Sequence, residues 1–331
     1  MARCLITGIT GFVAPHLAKL LLEDGHEVHG LVRHANCREY DLLDVLTVDE
    51  LANIEFKYAD LKDFASVRSI VGECMYDGIF HLAAQSHPPT SFRQPMLTFK
   101  DNIIGTANLI QAVATTQLKG SCHFHFCSTS EVYGNDGKEV GTLHEELPLH
   151  PINPYGVSKA ASDLYMQERI RNEQITGFIT RAFSHTGPRR GRNFSISSDA
   201  FQLADMTLND KKSRVLKIGN LETERVVIDV RDCALAYYML MLSHASGVYN
   251  VCGSDVHKMQ YYTDLLIKES GLTDVKQKIH QPYYRPIDIQ VQVGDCSKLK
   301  AQTGWTPKIP IKTTMRDLFN YWVKKLNLGT V

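Results

Sequence analysis

The stretch "RCLITGITGFVAPHLAKLLLEDG", residues 3–25, decides the fold. Its first five residues form a short apolar run that reads as a buried strand. Gly8 and Gly11 follow at once. An amphipathic stretch from Gly11 to Glu23 then reads as a helix. Glycines between a first strand and a first helix allow a tight turn. They also let main-chain N–H groups approach a pyrophosphate at the helix N-terminus. The spacing is Gly-x-x-Gly-x-x-Ala, and Ala14 is small enough for helix–strand packing. A purely structural turn has the same glycines; the position directly after the first strand favours a dinucleotide.

Working outward, strand-like runs alternate with helix-length segments. "HEVHGLV" (26–32) and "IEFKY" (54–58) precede a helix near 63–73. "GIFHLA" (78–83) precedes a long helix over about 96–116. "CHFHFCS" (122–128) precedes a helix that starts at Pro154, and "GFITRAF" (177–183) closes the series. This rhythm predicts an α/β fold, a Rossmann-type doubly wound parallel sheet with helices on both faces. Beyond residue 183 the pattern turns irregular. The expected division is a dinucleotide-binding domain over 1–182, with 223–252 returning to it, and a smaller C-terminal substrate-binding part over 183–222 and 253–331.

Composition narrows the function. Lys plus Arg and Asp plus Glu both number 36, so the formal charge is zero. That balance gives no electrostatic reason to expect nucleic acid or an anionic membrane as partner. No apolar run approaches the roughly 20 residues needed to span a bilayer. "MARCLITG" runs straight into a strand, so no signal peptide is expected. Eight cysteines lack CxxC spacing, which suggests reduced thiols in a cytoplasmic protein. Cys4, Cys127 and Cys252 are expected as small core residues. His123 and His125 share one face of a strand without metal-ligand spacing, so no metal is expected.

An NAD site usually places an acid about 20 residues after the glycine turn, on the ribose 2′-OH. Arg33 and His34 stand there instead. A guanidinium suits a 2′-phosphate, which predicts NADP; a solvated surface arginine is the alternative. Asp60, after the third strand, would face the adenine region. Ala83 and Ala84 would line the cofactor cleft after the fourth.

Two further segments carry the chemistry. "FCSTSEVYG" (126–134) ends a strand with Thr129, Ser130 and Glu131, and in open α/β sheets ligands bind outside such strand ends. In "NPYGVSKAASDLY" (153–165), Asn153 is a good N-cap and Pro154 a good first helical residue. Tyr155 and Lys159 then lie at i and i+4 on one helix face. A lysine ammonium near a phenol lowers its pKa from about 10. The result is a base able to take a hydroxyl proton as hydride leaves for nicotinamide.

"TGITGFVAPHL", "HLAAQS", "STSEVYG", "NPYGVSKAASDLY", "RAFSHTGP" and "RPIDIQVQVGDCSKLKAQTGWTP" together resemble the extended short-chain dehydrogenase/reductase family. The resemblance covers nearly the whole chain. It is nearest to GDP-mannose 4,6-dehydratases and GDP-4-keto-6-deoxy-mannose reductases. It implies a nicotinamide cofactor, a nucleotide-sugar substrate, GDP-linked by preference, and a homodimer or homotetramer. It also implies that Thr129 holds the sugar 4-hydroxyl, Tyr155 is the base and Lys159 its partner. Glu131 stands where dehydratases keep the glutamate that removes the C5 proton and helps water leave C6. A helix-capping or surface acid is the alternative for Glu131.

The cofactor set carried over by resemblance is Gly8, Thr10, Gly11, Phe12, Val13, Arg33, Asp60, Leu61, Leu82, Ala83, Ala84, Tyr155, Lys159 and His185. Ser86, Ser130, Ser184, Arg190, Asn193, Arg225 and Arg285 are the implied substrate residues. "PRRGRNF" (188–194) resembles the dehydratase loop before the nucleotide-binding helix, and Arg190, Arg225 and Arg285 sit in motifs that bind the diphosphate in relatives. Two departures matter. Ser184 replaces the asparagine often found in the family, and "ERVVIDVRD" (224–232) leans toward the reductases. Thr129 with Glu131 favours a lyase, because a simple reductase needs no C5 base. A C4 reductase, another C4 oxidoreductase or an epimerase is the alternative. A non-catalytic dinucleotide sensor of this fold usually lacks the tyrosine–lysine pair.

Overall fold

The computed structural model describes residues 1–34, 39–209 and 214–330. The first strand, β1 (Arg3–Thr7), is buried from Cys4 onward. It lies between β2 (Glu27–Val32) and β4 (Gly78–His81), with β3 (Ile54–Tyr58) outside β2. On the other side follow β5 (His123–Cys127), β6 (Thr176–Ala182) and β10 (Gly247–Val251). All seven strands are parallel, in the order β10-β6-β5-β4-β1-β2-β3. Apolar clusters cover both faces of the sheet, one built on Ile6, Leu17 and Tyr237 and the other on Leu5, Leu109 and Phe124. This is the doubly wound sheet that the alternating pattern predicts.

Two elements differ from expectation. The first helix runs Ala14–Glu23, so Gly11, Phe12 and Val13 belong to the turn before it. The segment expected as one long helix is interrupted. Pro95–Phe99 and Gly105–Ala114 are α-helical, and a π-turn at Lys100–Ile104 joins them. The cause is Asn102, which is buried. Its side chain accepts from Gln85 N at 2.8 Å and donates to Gln85 O at 3.0 Å and Ser158 Oγ at 2.9 Å. An extra residue in the turn lets this amide face the core, as π-turns at functional sites do.

The C-terminal half adds a second sheet. In it β9 (Glu224–Asp229) pairs with β7 (Ser184–Thr186), β11 (Val256–Lys258) and β13 (Val291–Gln292). A separate parallel pair joins β8 (Val215–Ile218) to β12 (Lys276–Ile279). The helices Ser195–Leu208, Met259–Ser270 and Ile311–Asn327 pack around Leu203, Leu266, Met315 and Trp322. Although 223–252 was expected to return to the large sheet, Glu224–Asp229 runs in the second sheet. The return is made by the helix Val230–Leu242 and β10. Among the described residues no helix is long and apolar enough to cross a membrane.

Candidate active site

The C-terminal ends of β1, β4, β5 and β6 open onto one cleft of about 930 Å³, closed on the far side by the C-terminal half. Gly8 sits at its floor with φ +70°, and a Cβ there would stand 2.8 Å from Ala83 Cα. Only glycine lets the turn pass so close to the neighbouring strand end. Ala83 N also donates to Thr7 Oγ1 at 3.2 Å. Thr7 in turn meets His81 Nδ1 at 2.7 Å, while His81 Nε2 meets Thr106 Oγ1 at 2.9 Å. Burial holds the His81 imidazole down to about 3, so it is neutral and serves as a strut.

Thr10, Gly11, Phe12, Val13, Leu61, Leu82, Ala83 and Ala84 all line this end of the cleft. Arg33 lies exposed at its rim, beside His34. Asp60 also lines it, and its carboxylate caps Lys62 N at 2.9 Å. Lys62 Nζ lies 3.5 Å from Asp60 and 3.1 Å from Asp101. His185 stacks on Phe12 with centroids 5.9 Å apart, and its Nδ1 bonds to Phe183 O at 2.9 Å. Burial, then the Arg190 charge, pulls its pKa to about 4.

The reactive groups converge where β5 ends. Thr129 caps a short 3-10 turn, Ser130–Tyr133, by accepting from Glu131 N at 3.3 Å. Asn153 ties this turn to the helix Pro154–Arg171, which it caps. Its Oδ1 accepts from Gly156 N at 2.7 Å, the N-cap bond, and its Nδ2 donates to Glu131 Oε2 at 2.7 Å. Arg285 holds the other Glu131 oxygen at 3.4 Å. Both Glu131 oxygens are therefore oriented by groups from other segments.

The tyrosine–lysine pair departs from expectation. The Tyr155 phenol lies above its ordinary value, not below it. Burial is the main cause, the Glu131 charge adds to it, and the Thr129 hydroxyl offsets part. Lys159 is fully buried, with its ammonium over the Phe126 ring at 4.3 Å from the centroid. Burial brings the ammonium down to about 8. Both side chains line the cleft. Cys127, expected in the core, is half-buried and lines it too, while Cys4 and Cys252 are buried.

Ser86, Ser130, Ser184, Asn193, Arg190, Arg225 and Arg285 line the same cleft beyond the reactive groups. Arg190 stacks over Phe194 at 3.5 Å and over Phe12 at 4.8 Å, bridging the glycine turn and the loop Pro188–Phe194. Burial pulls its pKa to about 10. Arg225 donates to Ile289 O at 2.6 Å and Glu224 O at 2.8 Å. Most of its fork is therefore spent on main chain, and what it offers the cleft is charge.

Four side chains here went unremarked as site residues in the sequence. Asn102 positions the loop after β4, and Asn153 orients Glu131. Gln292 and Asp199 line the cleft from β13 and from the helix Ser195–Leu208. No local pattern announces these four, since each acts across a long stretch of chain.

A dinucleotide fits the residues present. The turn from Gly8 presents main chain at the start of a ten-residue helix. Ser128 Oγ and Thr186 Oγ1 are buried in the cleft wall with no hydrogen-bond partner. Such groups are rare unless a ligand or water completes them.

A parallel doubly wound sheet, a glycine turn after β1 and a Tyr-x-x-x-Lys helix facing a hydroxyl-bearing strand end define an extended short-chain dehydrogenase/reductase. Residues 5–318 match the family described as GDP-mannose 4,6 dehydratase, and the chain belongs to that family. It is 32% identical over 329 residues to GDP-6-deoxy-D-mannose reductase of Pseudomonas aeruginosa, covering 98% of both chains. It is 29% identical to the GDP-mannose 4,6 dehydratase of Homo sapiens, covering 95% of this chain and 89% of that one. The solved structure of RMD from Pseudomonas aeruginosa complexed with NADPH superimposes with a TM-score of 0.82 at 28% identity. That match covers 98% of this chain and 100% of the other.

Proposed function

We propose that the chain is an NADP-dependent nucleotide-sugar 4,6-dehydratase acting on GDP-mannose or a close relative. The observation that carries this is the Glu131 carboxylate, held by Asn153 and Arg285 beside Thr129 and Tyr155. Redox chemistry at C4 alone requires one proton acceptor. Here a second stands beside it, the Glu131 carboxylate, aimed by groups from two other segments.

The roles follow from position. Thr129 hydrogen-bonds the C4 hydroxyl, and Tyr155 takes its proton. Lys159, at about 8, is still cationic at neutral pH and stabilises the phenolate. The nicotinamide supplies hydride uptake from C4 and its return to C6. Oxidation at C4 acidifies the C5–H bond, and Glu131 removes that proton. The same carboxyl, now protonated, delivers the proton to the departing C6 hydroxyl. After hydride reaches C6, C5 takes a proton that exchanges with solvent, balanced by the proton Tyr155 accepted from the C4 hydroxyl. Arg190 and Arg285 bind the diphosphate, with Arg225 adding charge. Arg33, with Lys62 nearby, suits a 2′-phosphate, and the relative complexed with NADPH supports the same choice. The enzyme works as a homo-oligomer in the cytoplasm.

A C4 reductase of GDP-4-keto-6-deoxy-mannose is the alternative. It is favoured by the full-length similarity to the Pseudomonas reductase and by "ERVVIDVRD". The two separate in one assay: purified protein with GDP-mannose and catalytic NADP. A dehydratase gives a 4-keto-6-deoxy product with no net change in cofactor. No dehydration of GDP-mannose, with one NADPH consumed per 4-keto sugar, establishes the reductase.

A further inference from the structure

Asp199 lies on the inner face of the helix Ser195–Leu208 and is only 4% exposed. Thr263 Oγ1 donates to its Oδ2 at 2.8 Å. Among the described residues its carboxyl has no other hydrogen bond and no cation beside it. Yet it lines the cleft. Burial raises its pKa to about 7, and only the Thr263 bond opposes that shift. A buried acid with one hydroxyl for company is costly unless a ligand completes it.

The surroundings define the ligand. Ile196, Leu221 and Met259 line the same cleft as apolar side chains, interspersed with Ser198, Asn220 and Thr223. Apolar side chains with a few polar groups between them suit a flat aromatic ring that presents hydrogen-bonding groups at its edge. An ionised carboxylate only accepts hydrogen bonds. Guanine carries two adjacent donors, N1–H and the 2-amino group. Adenine sets its amino donor beside the N1 acceptor, and cytosine does the same with N3. Uracil flanks N3–H with two carbonyl oxygens. An acceptor-only group therefore pairs fully with guanine and meets a lone pair on each of the other bases.

The geometry points to Asp199 as the residue that selects the nucleotide, its carboxylate accepting from N1–H and the 2-amino group of guanine. The inference rests on a nucleotide sugar occupying this cleft, and it names the base end of that substrate. Asp199 then sets specificity and takes no part in the chemistry.

The test is calorimetric titration of the NADP-loaded protein with GDP, IDP, XDP, UDP and ADP. The unaltered protein binds GDP at least about tenfold tighter than IDP, which lacks the 2-amino group, and tighter still than UDP or ADP. Charge-assisted hydrogen bonds of this kind are worth roughly 1.5–3 kcal/mol, about ten- to a hundredfold. Asp199→Asn reverses part of the pattern. The carboxamide oxygen still accepts from N1–H, while its NH2 clashes with the guanine amino group and donates to the C2 oxygen of xanthine. GDP affinity falls at least about tenfold, and XDP becomes the preferred ligand. A merely structural Asp199 would weaken all five ligands alike, so uniform loss in Asp199→Asn overturns the assignment and leaves the nucleotide-sugar function standing. Equal affinity of the unaltered protein for GDP and UDP does the same. Failure to bind any nucleoside diphosphate overturns both. Thr263→Val is the folding control: it keeps the carboxylate, and the GDP-over-XDP preference persists. Loss of that preference in Thr263→Val while it persists in Asp199→Asn also contradicts the assignment.

Discussion

At the scale of single residues, the cleft is a set of polar groups whose neighbours fix their charge. Tyr155 shows this most clearly. Burial and Glu131 hold the phenol above its ordinary value, and the Thr129 hydroxyl and the Arg190 charge offset only part of that. In the proposed mechanism, its work as a base requires added positive charge, which Lys159 and a bound cofactor would supply. Tyr155→Phe keeps the ring and removes the ionisable oxygen. Turnover should fall by about 10²–10⁴ while NADP binding, followed by fluorescence quenching, survives. Near-normal turnover would remove Tyr155 from the chemistry. At the rim, Arg33→Asp places a like charge against a 2′-phosphate. The preference for NADP over NAD should reverse in the ratio of the two Kd values. Equal affinity of the unaltered protein for both cofactors would contradict the role given to Arg33.

At the scale of elements, the site depends on irregularities more than on regular structure. The π-turn Lys100–Ile104 turns Asn102 inward, where it holds both main-chain groups of Gln85 and reaches Ser158 on the Tyr155 helix. Asn102→Ala leaves those buried groups unpaired, at about 1–3 kcal/mol for each unsatisfied group. The urea midpoint should fall, and KM for the cofactor should rise as the loop after β4 loosens. An unchanged midpoint would mean that water replaces the amide. The sequence made the regular parts of this region legible. "GIFHLA" and "CHFHFCS" have the composition of buried strands, and Asn153–Pro154 marks a helix start. It hid the π-turn because the apolar spacing over 96–116 stays helical on either side of it. It hid the tie from Asn153 to Glu131 because a bond across 22 residues has no local signature.

Across the whole molecule, buried polar networks tie the elements around the large sheet together as well as apolar packing does. Arg181 on β6 forks onto Asp163 at 3.0 and 3.1 Å and donates to Tyr133 Oη at 3.0 Å; Tyr133 donates onward to Asn250 on β10 at 2.8 Å. The parallel, doubly wound character of the large sheet followed from the alternation of strands and helices. The second sheet did not, because β7, β11 and β13 are two or three residues long and take their register from β9. Asp199 was hidden for a related reason, since its setting is built from three separate segments. Buried histidines give the molecule a definite pH response. Burial holds His16 and His185 near 4 and His81 near 3, below the unfolded value of about 6.5. Between about 6.5 and 4 the unfolded chain takes up protons that the folded chain refuses, so stability falls as pH falls through that window. Asp199, raised to about 7, acts in the opposite sense but is one group against three. The urea midpoint should be lower at pH 4.5 than at pH 6.5; a flat profile would show that these histidines titrate as they do when unfolded. The central claim is that Glu131 takes the C5 proton of the sugar, and running the reaction with GDP-mannose in D₂O tests it most directly. The account predicts a 4-keto-6-deoxy product with deuterium at C5. It predicts that Glu131→Gln stops after one equivalent of reduced cofactor per site, with a 4-keto sugar that keeps its C6 oxygen and its C5 hydrogen. A Glu131→Gln protein that turned over at near the unaltered rate, with deuterium entering C5 as before, would contradict it.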